Sequence, residues 1–191
     1  MKNRIKALRY FTAAMAVSMA VSVAAFAQQP APKEFPSDRV AGLVAEWTRA
    51  KDYTREYLDA MPEDGLGLKP TPEVRSFAEQ MLHLAGANYF FIKNVFGVDG
   101  PAEAKDLEKR DDLKKSKAAL SKAVADSYDF MIAQVKGVKA AKLDEPVTMF
   151  NMKMPLGVAI LKAFEHQTHH RGQTTIYIRL KGLKPPNERL F

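Results

Sequence analysis

Apolar residues recur along most of this chain at three- and four-residue spacing, the period of an α-helix that buries one face. Val40, Leu43, Val44, Trp47, Thr54, Leu58 and Met61 follow it, with Ser37 or Asp38 placed to cap the first turn. A helix is predicted over 38–61, ended by Pro62. The glycines and prolines of 62–70 make a loop, and Thr71-Pro72-Glu73 then reads as N-cap, first-turn proline and a carboxylate at the positive end of the helix dipole. The second helix is expected over 72–96, with Gly97 as its stop. Its main stripe is Val74, Phe77, Met81, Leu84, Asn88, Phe91 and Val95, and beside it lie Ser76, Gln80, His83, Ala87 and Phe90, which predicts a heavily buried helix.

After a linker over 98–105, Leu113, Leu120, Val124, Tyr128, Met131 and Val135 keep the helical period and predict a third helix over 106–136, closed by Gly137. Residues 138–154 are less regular, and Pro146 to Phe150 fit a short strand or an extended crossover. Pro155 opens a fourth helix over 155–181; Gly182 caps it and Pro185-Pro186 prevent its continuation. The pattern as a whole predicts an all-α four-helix bundle with at least one longer crossover.

The N-terminus changes the reading of charge. Lys2, Arg4, Lys6 and Arg9 precede an apolar run from Tyr10 to Phe26 and the small-residue site Ala25-Phe26-Ala27, the pattern of a signal peptide over 1–27 that is cut after Ala27. The run is shorter than the roughly 20 residues of a bilayer span. A linker over 28–36 and one domain over 37–191 follow, and a periplasmic or secreted location is expected, with no stable membrane insertion after cleavage. Without the leader the 29 basic residues fall to 25 against 22 acidic ones, so the net charge is +3. The cationic stretch 105–122 is interleaved with Asp106, Glu108, Asp111 and Asp112 and reads as a solvated helix face, not a nucleic-acid surface. With no cysteine in the chain, any metal ligands must be nitrogen or oxygen.

Three of the four histidines lie in His166-Gln167-Thr168-His169-His170. At about 100° per residue, His166 and His170 share one helix face one turn apart, a spacing at which two imidazoles reach one ion, whereas His169 is turned away. Small residues leave room beside each candidate: Ala159 and Ala163 on the fourth helix, and Ser76, Gly86 and Ala87 around His83. From spacing alone, a three-histidine site and histidines that only pack stand about even.

The run His166-x-x-His169-His170-Arg171-Gly172-Gln173, with Gly182-Leu183-Lys184-Pro185-Pro186 after it, resembles the C-terminal hallmark of the DinB-like (damage-inducible) four-helix-bundle family. Pro70 to Phe77, with His83 in the same helix, resembles that family's second helix, so the likeness spans about 38–187. It implies an up-down-down-up bundle, a metal triad at His83, His166 and His170, and a tendency to dimerise. Some relatives are transferases or isomerases that use cytoplasmic thiols, from which a leader peptide would separate this chain. Most have no assigned reaction.

Three neutral imidazoles leave a divalent ion open to another ligand; all-nitrogen ligation fits zinc, nickel, iron or copper, and the expected cofactor is one divalent ion of zinc, nickel, iron or manganese. Such an ion can polarise a carbonyl or phosphoryl oxygen. Glu79, one turn before His83, is the candidate general acid or base; Glu165 points away from the site. Gln80 and Gln173 are candidate partners that fix imidazole tautomers. Arg171 is expected to make an interhelical ion pair, Gly172 to let helices approach closely, and Ile176 to help pair two bundles as a homodimer. The expected function is that of an exported metal-dependent hydrolase or transferase acting on a small molecule; the alternative is a protein that binds a metal or small ligand without turnover.

Overall fold

Four long helices carry the chain, as the apolar period predicts. In the computed structural model, which describes residues 34–191, they are α1 (Arg39–Ala60), α2 (Phe77–Phe96), α4 (Lys117–Lys136) and α5 (Leu156–Leu180). A short α3 (Asp111–Lys115) precedes α4, and a hairpin of β1 (Pro146–Met149) and β2 (Met152–Pro155) precedes α5. The expected leader at 1–27 and most of the linker at 28–36 lie outside the described residues.

Each of α1 and α2 packs against both α4 and α5, so the two pairs face one another across the diagonals of the bundle. Contacts at one end give the directions. Lys181 at the end of α5 pairs with Asp64 just past α1, Lys117 at the start of α4 donates to Asp59 O, and Tyr177 OH donates to Arg75 O just before α2. The C-termini of α1 and α5 and the N-termini of α2 and α4 therefore share that end, which is an up-down-down-up order. Trp47, Phe77, Leu84, Leu120, Tyr128 and Ile178 are buried in the centre, and Trp47 meets the rings of Tyr128 and Phe164 edge-on at 6.0 and 5.4 Å.

Asp38 caps α1, its carboxylate accepting from Ala41 N at 2.7 Å. α2 starts five residues later than predicted. Ser76 and Glu79 form a capping box, with Glu79 N donating to Ser76 Oγ and Ser76 N to Glu79 Oε2. The amides of Phe77 and Ala78 donate to Leu68 O and Leu66 O, so the preceding loop satisfies the first turn and Thr71-Pro72-Glu73 stays outside the helix, with Val74 exposed. Ser76→Ala is expected to cost about 1 kcal/mol of stability by chemical denaturation, the usual worth of such a cap.

The predicted third helix is broken. Ser116, in extended conformation, accepts from Ala119 N with its hydroxyl and starts α4 afresh, while Leu107–Lys109 forms a single 3-10 turn that buries Leu107. The charges of this stretch pair locally as expected, Lys109 with Asp106, Arg110 with Asp112 and Lys114 with Asp111. The segment at 146–150, expected as a short strand or an extended crossover, holds a strand at 146–149, paired antiparallel with 152–155 in the register Pro146↔Pro155 to Met149↔Met152, and Phe150 begins the turn. Pro155 ends β2 and precedes α5 instead of forming its first turn. Gly97 and Gly182 close α2 and α5 at positive φ, 69° and 79°, where glycine carries no Cβ penalty.

Candidate metal centre

α2 and α5 bring three imidazoles into one group. His166 and His170 lie one turn apart on α5 with ring centroids 4.5 Å apart, and His83 of α2 stands 5.3 Å from the first and 4.4 Å from the second. One ring nitrogen from each can be chosen so that all three lie within 4.8 Å of one another. Buried Ala159 and Ala163 hold α5 close to its neighbours, and the Tyr177 hydroxyl bond to Arg75 O, with Phe77 edge-on to Tyr177 at 6.3 Å, fixes the far turns of α5 against the start of α2.

The hydrogen bonds around the rings decide which nitrogen each one presents. His83 Nδ1 donates to Glu108 Oε1 at 2.7 Å. Burial pushes the Glu108 carboxyl up, but the hydrogen bond and charge of His83 and the nearby Arg75 outweigh it and hold the group below the usual carboxylate range. An ionised carboxylate only accepts, so His83 carries its proton on Nδ1 and leaves the Nε2 lone pair available. Gln80 does the same for His170: its Nε2 donates to Gln173 Oε1 at 2.8 Å, so its Oε1 is the group that accepts from His170 Nδ1 at 2.9 Å. Burial, then the neighbouring His166, His83, His169 and Arg75, push His170 from 6.5 down to about 3, and burial with His83 and the same neighbours also lowers His166. Both rings are thus neutral at pH 7. The Nδ1 of His166 is buried without a protein partner, an unmet polar demand of the kind an added ligand relieves.

Among the residues singled out from the sequence, His83, His166 and His170 converge, Gln80 bonds His170 directly, and Gln173 bonds Gln80 and His169 but none of the three clustered rings. His169 is exposed and takes a hydrogen bond from Gln173 Nε2 at 2.8 Å, which joins it to His170 only through two amides. Glu79 lines the cleft beside His170, but its carboxylate is already engaged: it caps α2 and pairs with Lys69 at 3.2 Å, and the bond from Ser76 N is the main reason it is held acidic. Glu165 pairs outward with Lys162.

Arg171 is a correction. It is buried and makes no ion pair among the described residues; it donates to Gln167 Oε1 at 2.8 Å and lies 4.6 Å over the Tyr53 ring. Tyr128 OH also donates to Gln167 Oε1, so Arg171 ties α5 to α1 and α4 and fixes the rotation that points His166 and His170 at α2. Gly172 faces outward, and a Cβ there would meet no atom within 4 Å, so close helix approach is not its role. The residue missed is Glu108. It sits in the crossover between α2 and α3, where no helical period marks it; its only sequence signal is its place beside the isolated apolar Leu107.

A cavity of about 690 Å³ opens beside His83 and His166, and a more polar cleft of about 570 Å³, lined by Arg75, Gln80 and Gln173, opens beside His170; Glu108 borders both. The fold and site define a helical bundle with a histidine cluster at the meeting of two helices, bordered by a cavity on each of two sides. The chain belongs to the DinB family, whose model matches residues 37–189. It is 26% identical over 150 residues to the uncharacterized protein YrdA of Bacillus subtilis (strain 168), covering 75% of this chain and 84% of that protein. A DinB-like protein of Bacillus cereus ATCC 10987 shares the fold with a TM-score of 0.61 at 21% identity, over 78% of this chain and 96% of the other. The DinB-like protein YjoA of Bacillus subtilis does so at 0.54 and 20%, over 78% and 96%.

Proposed function

We propose that this protein is a metal-dependent enzyme, a hydrolase or transferase acting on a small molecule, with His83, His166 and His170 holding one divalent ion of zinc, nickel, iron or manganese. The observation that carries the reading is the pair of hydrogen bonds from His83 Nδ1 to Glu108 and from His170 Nδ1 to Gln80, which turn the Nε2 atoms of two clustered rings away from those partners, in a cluster that borders open cavities. When bound, the ion supplies Lewis acidity for polarising an oxygen of the substrate. The chain's own residues do the rest. Glu108 orients His83, Gln80 with Gln173 behind it orients His170, and Phe91, edge-on to His166 at 5.5 Å, holds that ring in place.

Glu108→Gln is expected to weaken metal affinity about 10-fold or more, the usual effect of removing a carboxylate behind a histidine ligand. Calorimetric titration with zinc checks it; unchanged affinity would contradict the role given to Glu108. One observation favours a binding role without turnover: Glu108, the carboxylate at the imidazoles, is already engaged by His83 and Arg75, so it is not free to move protons. Turnover of any ester, amide or phosphoester substrate by the metal-loaded protein, lost in a folded His170→Ala variant, supports the enzyme; metal uptake without turnover across such a panel supports the binder.

The sequence of the leader supports an exported protein, and no helix among the described residues is long and apolar enough to cross a membrane. Protein recovered from periplasm or medium should begin at Gln28; retention of Met1 in a membrane fraction would refute this. Leu161, Ile176 and Leu180 are exposed on α5 and support pairing of two copies. Sedimentation is expected to give a dimer mass at micromolar concentration, and Ile176→Lys a monomer.

A further inference from the structure

The cavity beside His83 and His166 has a chemistry of its own. Successive positions on one face of α2 run from His83 through Ala87 to Phe90, so the helix that supplies a histidine at the inner end also supplies an aromatic wall further out. Phe91 and Leu107 add apolar surface, and Gly86 leaves the floor open, since a Cβ there would meet no atom within 4 Å. The outer wall is Phe150, at the turn of the hairpin, stacked on Phe90 with ring centroids 5.6 Å apart and planes 25° from parallel. Both rings are large, apolar and exposed, at 46% for Phe90 and 68% for Phe150. The charges at the rim are matched: Lys109 pairs with Asp106 at 3.0 Å, and Glu108 is held by His83 and Arg75. Among the described residues that line the cavity, no cation is left unpaired to select an anionic group.

A separate observation points to the same wall. Phe150 and Asn151 occupy the hairpin turn at φ 50° and 61°. Such a turn favours asparagine or glycine at both places, and a bulky side chain at positive φ is strained. Among the described residues three non-glycine residues have positive φ, and two of them, Asp106 and Phe150, line this one cavity. Strain of this kind persists where the side chain serves a purpose that the local backbone does not. The turn alone would be better served by asparagine.

We propose that this cavity takes the aromatic body of the small molecule whose polar, metal-ligating head reaches the histidines, and that Phe150 is the specificity-determining wall. This rests on the metal-centre reading for the head, but not for the body. A volume of about 690 Å³ suits a molecule of one or two fused rings with a short polar group. The cleft beside His170, with Arg75 and Gln173, gives any remaining polar part a place away from the apolar walls.

The test compares 2-naphthohydroxamic acid with acetohydroxamic acid, first by calorimetry on zinc-loaded protein and then by ligand-detected NMR on metal-free protein. The naphthyl compound should bind zinc-loaded wild type at least about 10-fold more tightly, a gain of about 1.4 kcal/mol. That gain should vanish in Phe150→Gly, which relieves the turn and should leave the melting temperature unchanged or raised, and in Ala87→Leu, which fills the floor. Zinc affinity should be unchanged in Phe150→Gly. Equal affinity for the two compounds, or a naphthyl preference that survives both substitutions, would overturn the proposal. Failure to take up zinc, with naphthyl preference still seen by NMR and lost in Phe150→Gly, would overturn the metal reading and leave the aromatic pocket standing. Zinc uptake without naphthyl preference would do the reverse.

Discussion

His170→Ala is expected to lower divalent-metal affinity by well over about 100-fold, while His169→Ala leaves it within about threefold. Removing a partner that only orients a histidine ligand costs about 10- to 100-fold, and His170 is placed to ligate directly, so its loss should exceed that range. The two residues are neighbours in sequence and their rings are 5.0 Å apart, yet one is buried against α2 and the other exposed. A contact between the pair and a metal without helical geometry would make the two substitutions equivalent. His170→Ala also leaves Gln80 Oε1 without its donor, which should cost about 1–3 kcal/mol of stability while the helical circular dichroism persists. Equal losses of metal for the two variants would show that the assignment of ligands is wrong.

The metal-free protein should lose stability steeply in mild acid. His170 is lowered in the folded state from 6.5 to about 3, and His166 is lowered too. Between those values the unfolded chain binds a proton that the folded one refuses, so stability is full above pH 6.5 and falls as pH drops towards 3. For a ring only 9% exposed the effect of His170 is on the order of 4 kcal/mol across that window. Glu79 acts in the same direction, because its carboxyl is lowered by its bond to Ser76 N and loses that contribution as it is protonated. Urea midpoints measured in a chelator from pH 7.5 to 4 check this. A profile that stays flat across that range, or one that His170→Ala leaves as steep, would contradict it. With metal present the loss should shift to lower pH, since the ion and the proton compete for the same lone pairs.

The bundle was legible in the sequence because its helices announce themselves by period: Leu113, Leu120, Val124, Tyr128, Met131 and Val135 are all buried where the spacing puts them. The His166 and His170 pair was legible for the same reason, being one turn apart on a helix, and the partner on α2 followed from family resemblance more than from spacing. What was not legible depends on groups distant in sequence. Thr71-Pro72-Glu73 is a sound local start signal, overruled because Leu66 and Leu68 lend their carbonyls to the amides of Phe77 and Ala78. Glu79 looked like an acid at the site because it lies one turn from His83, but its nearest demand is the open helix end at Ser76. Glu108 belongs to a crossover whose path only tertiary packing sets, and Arg171 found an amide and a tyrosine ring where charge alone suggested a carboxylate.

The most direct test of the account is the metal content of untagged protein, purified, stripped with chelator and then incubated in turn with zinc, nickel, iron and manganese before elemental analysis. One ion per chain is expected for at least one of these metals, reduced to background in His83→Ala, His166→Ala and His170→Ala; folded wild type that retains none of the four would contradict the three-histidine site.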